Sequence, residues 1–303
     1  MVETIVTEGL IYGIMTLGVF ITFRVLDFAD LTVDGTFPLG GAVMAFCLLR
    51  GVPPGPAFLA AFAGGALGGL ATALIHTNLR VPGLLAGILT MTMLYSVNLR
   101  IMDNKANITY LKMTTPFSSL QAISEGVLPE GLAVLLFVFI ASLVLKALLD
   151  LFFHTDFGLT MGALGSNPQL VISQGMNPEI IKGVGICLAN ALVALSGAFA
   201  SLYNGFADVG AGNGMVVSGL ASVMLGEFLL RSNSIAVLTL RALLGSIIYR
   251  ALMFAARIHG WRIGMSPNDF KLVTGILIIL CLISAKADLR SLLMGRKKRE
   301  GPC

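Results

Sequence analysis

Six stretches of this chain, residues 4–23, 57–76, 84–100, 130–153, 179–203 and 234–256, are apolar over lengths close to or above the ~18–20 residues that carry an α-helix across a bilayer. In hydrocarbon every backbone N–H and C=O has to be paired inside the protein, so segments of this kind are helices packed side by side. The composition agrees. The chain has 303 residues, 56% hydrophobic and 12% charged, about half the charge fraction of a soluble domain. The sequence therefore predicts an all-α polytopic membrane protein with about 8–9 transmembrane helices, folded as one transmembrane domain over residues 1–303, and it excludes a soluble enzyme with a large core. Residues 270–285 are expected to form the last span, and 286–303 a basic cytoplasmic tail holding Arg296-Lys297-Lys298-Arg299. That tail, rather than a nucleic-acid surface, accounts for the net charge of +4, and it sets the expected orientation, with the tail and a central loop inside. Glu3 and Glu8 stand where a signal peptide would be basic, so the first run is expected to be a retained span.

Two stretches resist the spanning pattern. Arg24 to Gly41 contains three aspartates, a proline and three glycines. Broken backbone at membrane depth is tolerated only where it is buried in protein or lines a cavity, so a broken or re-entrant segment is expected here. Asp27 and Asp30 are expected at the water interface. Asp34 has two compatible readings, an N-cap for a helix beginning near Thr36 and a residue facing the solute. The second stretch, Gly205 to Gly214, is glycine-rich. Phe28-Ala29-Asp30 opens the first and Phe206-Ala207-Asp208 the second, which fits an inverted repeat with broken helices meeting near the midplane. The candidate solute-pathway residues are Asp30, Thr32, Asp34, Gly35, Asn98, Asn204 and Asp208. Asn190 is a further amide inside a span; most such amides join helices. Residues 57–76, with Gly64-Gly65 and Gly68-Gly69, are predicted to sit centrally in the bundle. Arg241 and Arg250 fall on one side of a helix and are expected to pair with Glu227 or an aspartate. Residues 101–128 read as an exposed loop with an interfacial helix.

The polar stretch from 154 to 178 separates two spans and is dense in start and stop signals. Asn167-Pro168 reads as an N-cap followed by proline at the first helical position. Gly175 fits the left-handed residue that ends a short helix. Asn177-Pro178 repeats the start signal for the next span. A loop with its own capped helix reads as a docking element.

Catalytic and metal signatures are missing. No phosphate-binding Gly-x-x-x-x-Gly-Lys-Ser/Thr and no His-Glu-x-x-His occurs. His76, His154 and His259 are far apart, and Cys47, Cys187, Cys281 and Cys303 have neither metal-ligand nor disulfide spacing. The chain is expected to be no enzyme, to hold no metal and to hydrolyse no ATP through a P-loop of its own. A secondary transporter using protonation of Asp34 or its neighbours is the alternative reading of the aspartates. A membrane enzyme acting on lipid would need a catalytic cluster that the sequence lacks.

Leu31-Thr32-Val33-Asp34-Gly35-Thr36-Phe37-Pro38-Leu39-Gly40-Gly41 resembles the early fingerprint of ATP-binding-cassette importer permeases of the branched-chain amino acid and ribose type, and looks most like the subgroup working with tryptophan- or tyrosine-type binding lipoproteins. The stretch from Gly158 through Gly165-x-Asn167-Pro168 to Gly175-x-Asn177 is similar to that family's cytoplasmic coupling loop, and Ser218 to Gly226 resembles a third shared segment. Members commonly carry arginine where Gly162 stands and alanine near Val171. The resemblance implies a type II-like importer permease in the bacterial inner membrane. It implies a second permease copy, a cytoplasmic ATPase dimer that uses the ATP, and an extracytoplasmic substrate-binding protein or lipoprotein. No cofactor on this chain and no nucleic-acid partner is implied. Coupling to the ATPase would fall to Gly158, Gly165, Asn167, Pro168, Gly175 and Asn177. The expected solute is a small amino acid, aromatic or branched-chain.

Overall fold

The computed structural model describes residues 2–110, 116–117, 130–229, 234–260 and a few positions between 272 and 279. Helix α1, Val2–Val19, runs on as a π-helix over Phe20–Val25 and then breaks. Then come α2 (Val33–Leu49), α3 (Pro54–Asn78), α4 (Gly83–Ile101), a short strand β1 (Asn107–Thr109) and α5 (Glu130–Phe153). The central loop folds as α6 (Asp156–Ser166) and α7 (Pro168–Ser173). The second half consists of α8 (Pro178–Asn204), strand β2 (Phe206–Asp208), a 3₁₀ turn (Val209–Gly212), α9 (Met215–Leu229) and α10 (Ile235–Gly260). Seven of the described helical segments are long and apolar enough to cross a membrane, and α2 is a shorter apolar helix. Most of the predicted last span and of the interfacial helix, and the whole basic tail, lie outside the described residues.

Close contacts fix the direction of each helix. Gly18 of α1 lies against Ala189 of α8, and Ser196 of α8 donates to the Ile11 carbonyl, so α1 and α8 are antiparallel. Gly40 of α2 meets Ala194, and Gly41 meets Ser201, so α2 runs with α8. Gly69 of α3 meets Ile186 and Gly65 meets Asn190, so α3 runs against it. In the same way α9 follows α1 (Gly219 on Val19) and α10 opposes it (Gly9 on Ile247). The first residues therefore start on the face opposite the loop, and the break after α1 returns the chain across the membrane as α2. The two halves exchange their leading helices: α8 packs on α2 and α3, and α1 packs on α9 and α10.

The sequence-based choice of central helix needs correcting. Over their most apolar stretches α1 is 72% buried and α8 78%, against 33% for α3. Gly65 and Gly69 of α3 face α8, and Gly64 and Gly68 face α2, while Leu59, Leu67 and Leu74 point outward. A small-residue stripe marks close approach on one side only. A second correction concerns residues 101–128, which contribute a strand. Asn107–Thr109 pairs antiparallel with Phe206–Asp208, Ile108 opposite Ala207, and closes the outer end of α8.

The closest approach in the bundle is at Gly40, where a Cβ would lie 1.7 Å from the Ala194 carbonyl oxygen. Gly162 has open space on the same test. Gly40→Ala should lower stability by about 1–3 kcal/mol or more by forcing α2 off α8. Gly162→Ala should leave the melting temperature of the detergent-solubilised protein unchanged. Equal melting of the two variants would show that the contact does not hold the helices together.

Candidate functional site

The break after α1 is held by side chains standing in for missing helical bonds. Asp30 accepts from the Thr32 N–H at 2.8 Å through one oxygen and from Asn190 Nδ2 at 2.7 Å through the other. Asn190 Oδ1 accepts from Thr36 Oγ1 at 2.8 Å, and Thr32 Oγ1 bonds Thr72 Oγ1 at 2.7 Å. All five residues are fully buried. Three helices, α2, α3 and α8, are thereby joined around one carboxylate. The expectation that Asp30 lies at the water interface is wrong; Asp27, three residues earlier, is the exposed one. The difference is the amide of Asn190, which lets a carboxylate be buried between helices.

Asp34 caps a helix, but not its own. Helix α2 already begins at Val33, and the Thr32 side chain makes no capping bond. The Asp34 carboxylate instead accepts from the Gly214 N–H at 3.0 Å and the Val216 N–H at 2.8 Å, at the start of α9. An acceptor there satisfies donors left open by the second break and suits the positive end of the helix. Pro38, inside α2, has no N–H to offer the Asp34 carbonyl, and the backbone of Gly212 packs there. A Cβ on Gly212 would lie 1.8 Å from that oxygen. Pro38, Gly40 and Gly41 are thus inside a continuous buried helix, and the broken stretch is shorter than expected, ending at Thr32.

The candidate pathway residues divide into three places. Asp30 and Thr32 belong to the buried network. Asp34 and Gly35 follow it, with Asn98 Nδ2 donating to the Gly35 carbonyl at 3.1 Å. Asn204 is exposed at the outer end of α8, and Asp208 accepts from the Gly210 N–H at 2.9 Å. Asp30 and Asp208, ending the two Phe-Ala-Asp tripeptides, both bond the N–H two residues on, each in the connection after one of the antiparallel pair α1 and α8. Thr36, Thr72 and Asn190 were missing from the candidate set. Asn190 stood out as an amide in a span, but a threonine in an apolar helix gives no comparable signal.

Arg250 pairs with a glutamate other than the expected Glu227. Glu227 binds Arg24 at 2.7 Å, tying α9 to the π-helix. Arg250 faces Glu8 at 3.8 Å and lies over the Tyr12 ring. Arg241 is buried. A cleft of about 400 Å³ beside the start of α9 is lined by Asn213, Ser218, Tyr249, Arg250 and Arg257. No group of three or more possible metal ligands occurs among the described residues.

The loop residues fold locally as their signals dictate. Asn167 accepts from the Gln169 N–H at 3.1 Å to start α7, Gly175 takes φ +77°, and Asn177 accepts from the Glu179 N–H at 2.9 Å to start α8. An additional helix, α6, precedes them, capped by Thr155, which accepts from the Gly158 N–H. Gly158 packs on the Phe152 carbonyl and Gly165 on the Val25 carbonyl, so the loop bears directly on the last turn before the first break. On α7, Val171 is buried while Leu170 is 46% and Ile172 50% exposed.

Residues 1–282 match the model of the family described as branched-chain amino acid transport system / permease component. A tyrosine transport system permease protein of Clostridioides difficile (strain R20291) is 38% identical over 94% of this chain and 92% of its own length. An uncharacterized protein of Rickettsia prowazekii (strain Madrid E) is 33% identical over 94% of this chain and 98% of its own. A solved inward-facing structure described as a metal-chelate type ABC transporter aligns over 84% of this chain and 77% of its own, at 14% identity and a TM-score of 0.49.

Two substitutions test the polar framework. Asp34→Ala should cost about 0.5–2 kcal/mol, as lost caps do, with Asp34→Asn in between because it keeps one acceptor oxygen. Asn190→Ala, which leaves the second oxygen of the buried Asp30 carboxylate without its donor, should cost about 1–3 kcal/mol or more. Thermal unfolding in detergent measures both, and an unchanged Asn190→Ala midpoint would mean that Asp30 finds another partner.

Proposed function

Since the chain belongs to the permease family of branched-chain amino acid transport systems, and is a multi-pass inner-membrane permease component of an ABC transporter, we propose that it moves an amino acid inward by alternating access driven by separate ATPase subunits. The single observation that carries this reading is α7. It is a short helix capped at both ends, standing outside the spans with Leu170 and Ile172 turned to water. Exposed aliphatic side chains on a rigid helix fit a partner's groove. The face bearing this loop is then cytoplasmic, and the partner is an ATPase dimer that uses the ATP.

The path from the loop into the membrane is short. Gly165 of α6 seats on Val25, and Val25 precedes the break holding Asp30 and Thr32, with Asp34 in the first turn of α2 beyond it. A shift of the docked loop would press on this turn and, through Asp34, on the start of α9. Gly158, Gly165, Asn167, Pro168, Gly175 and Asn177 serve this coupling. Solute would pass near the two breaks, at Asp34, Gly35, Asn98 and Asp208 and along the cleft beside Arg250. A second permease copy completes the pathway, and an extracytoplasmic binding protein or lipoprotein delivers the solute. The named substrate of the Clostridioides difficile relative makes an aromatic amino acid the leading solute, with branched-chain ones next. The ion-coupled alternative is weaker, because both oxygens of Asp34 are engaged by backbone N–H groups.

The test is co-purification from solubilised membranes. The intact chain should recover an ATPase subunit, and Asn167→Ala/Pro168→Ala or Leu170→Asp/Ile172→Asp should lose most of it while the permease stays folded by gel filtration. Failure of the intact, folded chain to recover any ATPase would overturn the reading.

A further inference from the structure

Between the loop and the membrane helices lies a cleft of about 700 Å³. It joins four elements. Leu26 and Asp27 come from the break after α1, Arg80 from the turn between α3 and α4, and Leu164, Glu179 and Lys182 from α6 and the first turns of α8. Elsewhere some charged side chains find each other, as in Arg24 with Glu227, Lys146 with Asp150 and Arg250 with Glu8. Around this cleft they do not. Asp27, Glu179, Arg80 and Lys182, two of each sign, make no ion pair and no side-chain hydrogen bond among the described residues. Two of them also occupy the left-handed backbone region, Asp27 at φ +50° and Arg80 at φ +53°. Side chains rarely adopt that conformation, and it recurs where a site makes use of it.

The charges narrow the ligand. A phosphate or nucleotide would face Asp27 and Glu179, and a simple cation would face Arg80 and Lys182. A small zwitterion suits both pairs, and Leu26, Val81 and Leu164 supply apolar wall for a side chain. The volume lies within the roughly 300–1,000 Å³ of small-ligand pockets. The cleft lies under the loop, with Gly165 and Pro168 in its wall, while the exposed Leu170 and Ile172 of the docking helix are not among its lining residues. We propose that it binds a free α-amino acid from the cytoplasmic side, carboxylate toward Arg80 and Lys182 and ammonium toward Asp27 and Glu179. Bound there, the ligand ties the loop, the break and the α3–α4 turn together and slows transport. The inference rests on the proposed amino-acid import: the released solute inhibits its own transporter.

The first experiment is equilibrium dialysis of radiolabelled L-tyrosine and L-leucine against the permease in nanodiscs of phosphatidylglycerol alone, so that no zwitterionic headgroup competes. Saturable binding is expected, at least about tenfold weaker in Arg80→Ala and in Asp27→Asn, as loss of a charged contact requires. Both variants are checked for folding by gel filtration and melting temperature, with Lys182→Gln as the substitute for one that fails. Absent binding, or binding equal in all folded variants, overturns the proposal. The second uses the complete transporter in proteoliposomes with its loop face outward. Millimolar tyrosine in the bath should reduce ATP hydrolysis several-fold in the wild type and not in Arg80→Ala. Loss of the ATPase from Arg80→Ala during purification would assign these charges to docking and overturn the site. Tyrosine transport without cleft binding sinks the site alone, whereas cleft binding without transport sinks the import reading and leaves the site.

Discussion

Breaking a helix inside a membrane exposes backbone donors and acceptors where no water can meet them, and the described residues hold two such breaks. Everything near the middle of the fold answers to that requirement. At the first break the Asp30 carboxylate takes a backbone N–H from Thr32 and reaches Asn190 on a distant helix. At the second, Asp34 supplies the acceptor for two N–H groups of α9. Each break is satisfied partly from the other half of the chain, so neither is a local feature. A carboxylate is the efficient choice for this work, since its two oxygens can accept in two directions at once.

Close packing makes those long-range bonds geometrically possible. α1 and α8 run side by side through the centre, and glycines on their neighbours remove the side chains that would hold the backbones apart. Such contacts are rigid, because a carbonyl oxygen against a Cα has no rotamer to yield. The connection at residues 26–32 is held differently, by the side-chain bonds of Asp30 and Thr32. The loop rests on the last turn before that connection through Gly165 and Val25.

What could be read from the sequence follows from the range of each interaction. Spans came out within a few residues of their ends, since length and hydropathy are local. The caps at Asn167 and Asn177 and the stop at Gly175 were legible for the same reason, their bonds spanning only two or three residues. Asp34 was recognisable as a capping residue but not as the cap of α9, because its partners lie 180 and 182 residues away. Asp30 was placed in water because nothing nearby announced Asn190. The strand at 107–109 was invisible for a similar reason: three residues of ribbon gain their order only from β2. Glycine in α3 reported that a neighbour comes close, without saying which of the two helices is the inner one.

The exchange of leading helices also bears on how the protein is made. Helices enter the membrane in order from the ribosome, and Asp30 arrives with the first of them, 160 residues before Asn190. Until α8 is synthesised, α2 and α3 lack the surface they pack on, and the buried carboxylate lacks its amide. The N-terminal half is therefore not a finished intermediate but an open clasp, with a charge at depth and glycine faces bared to lipid or to a chaperone. Insertion of α8 closes it, which places the decisive step of assembly just after the loop has been synthesised.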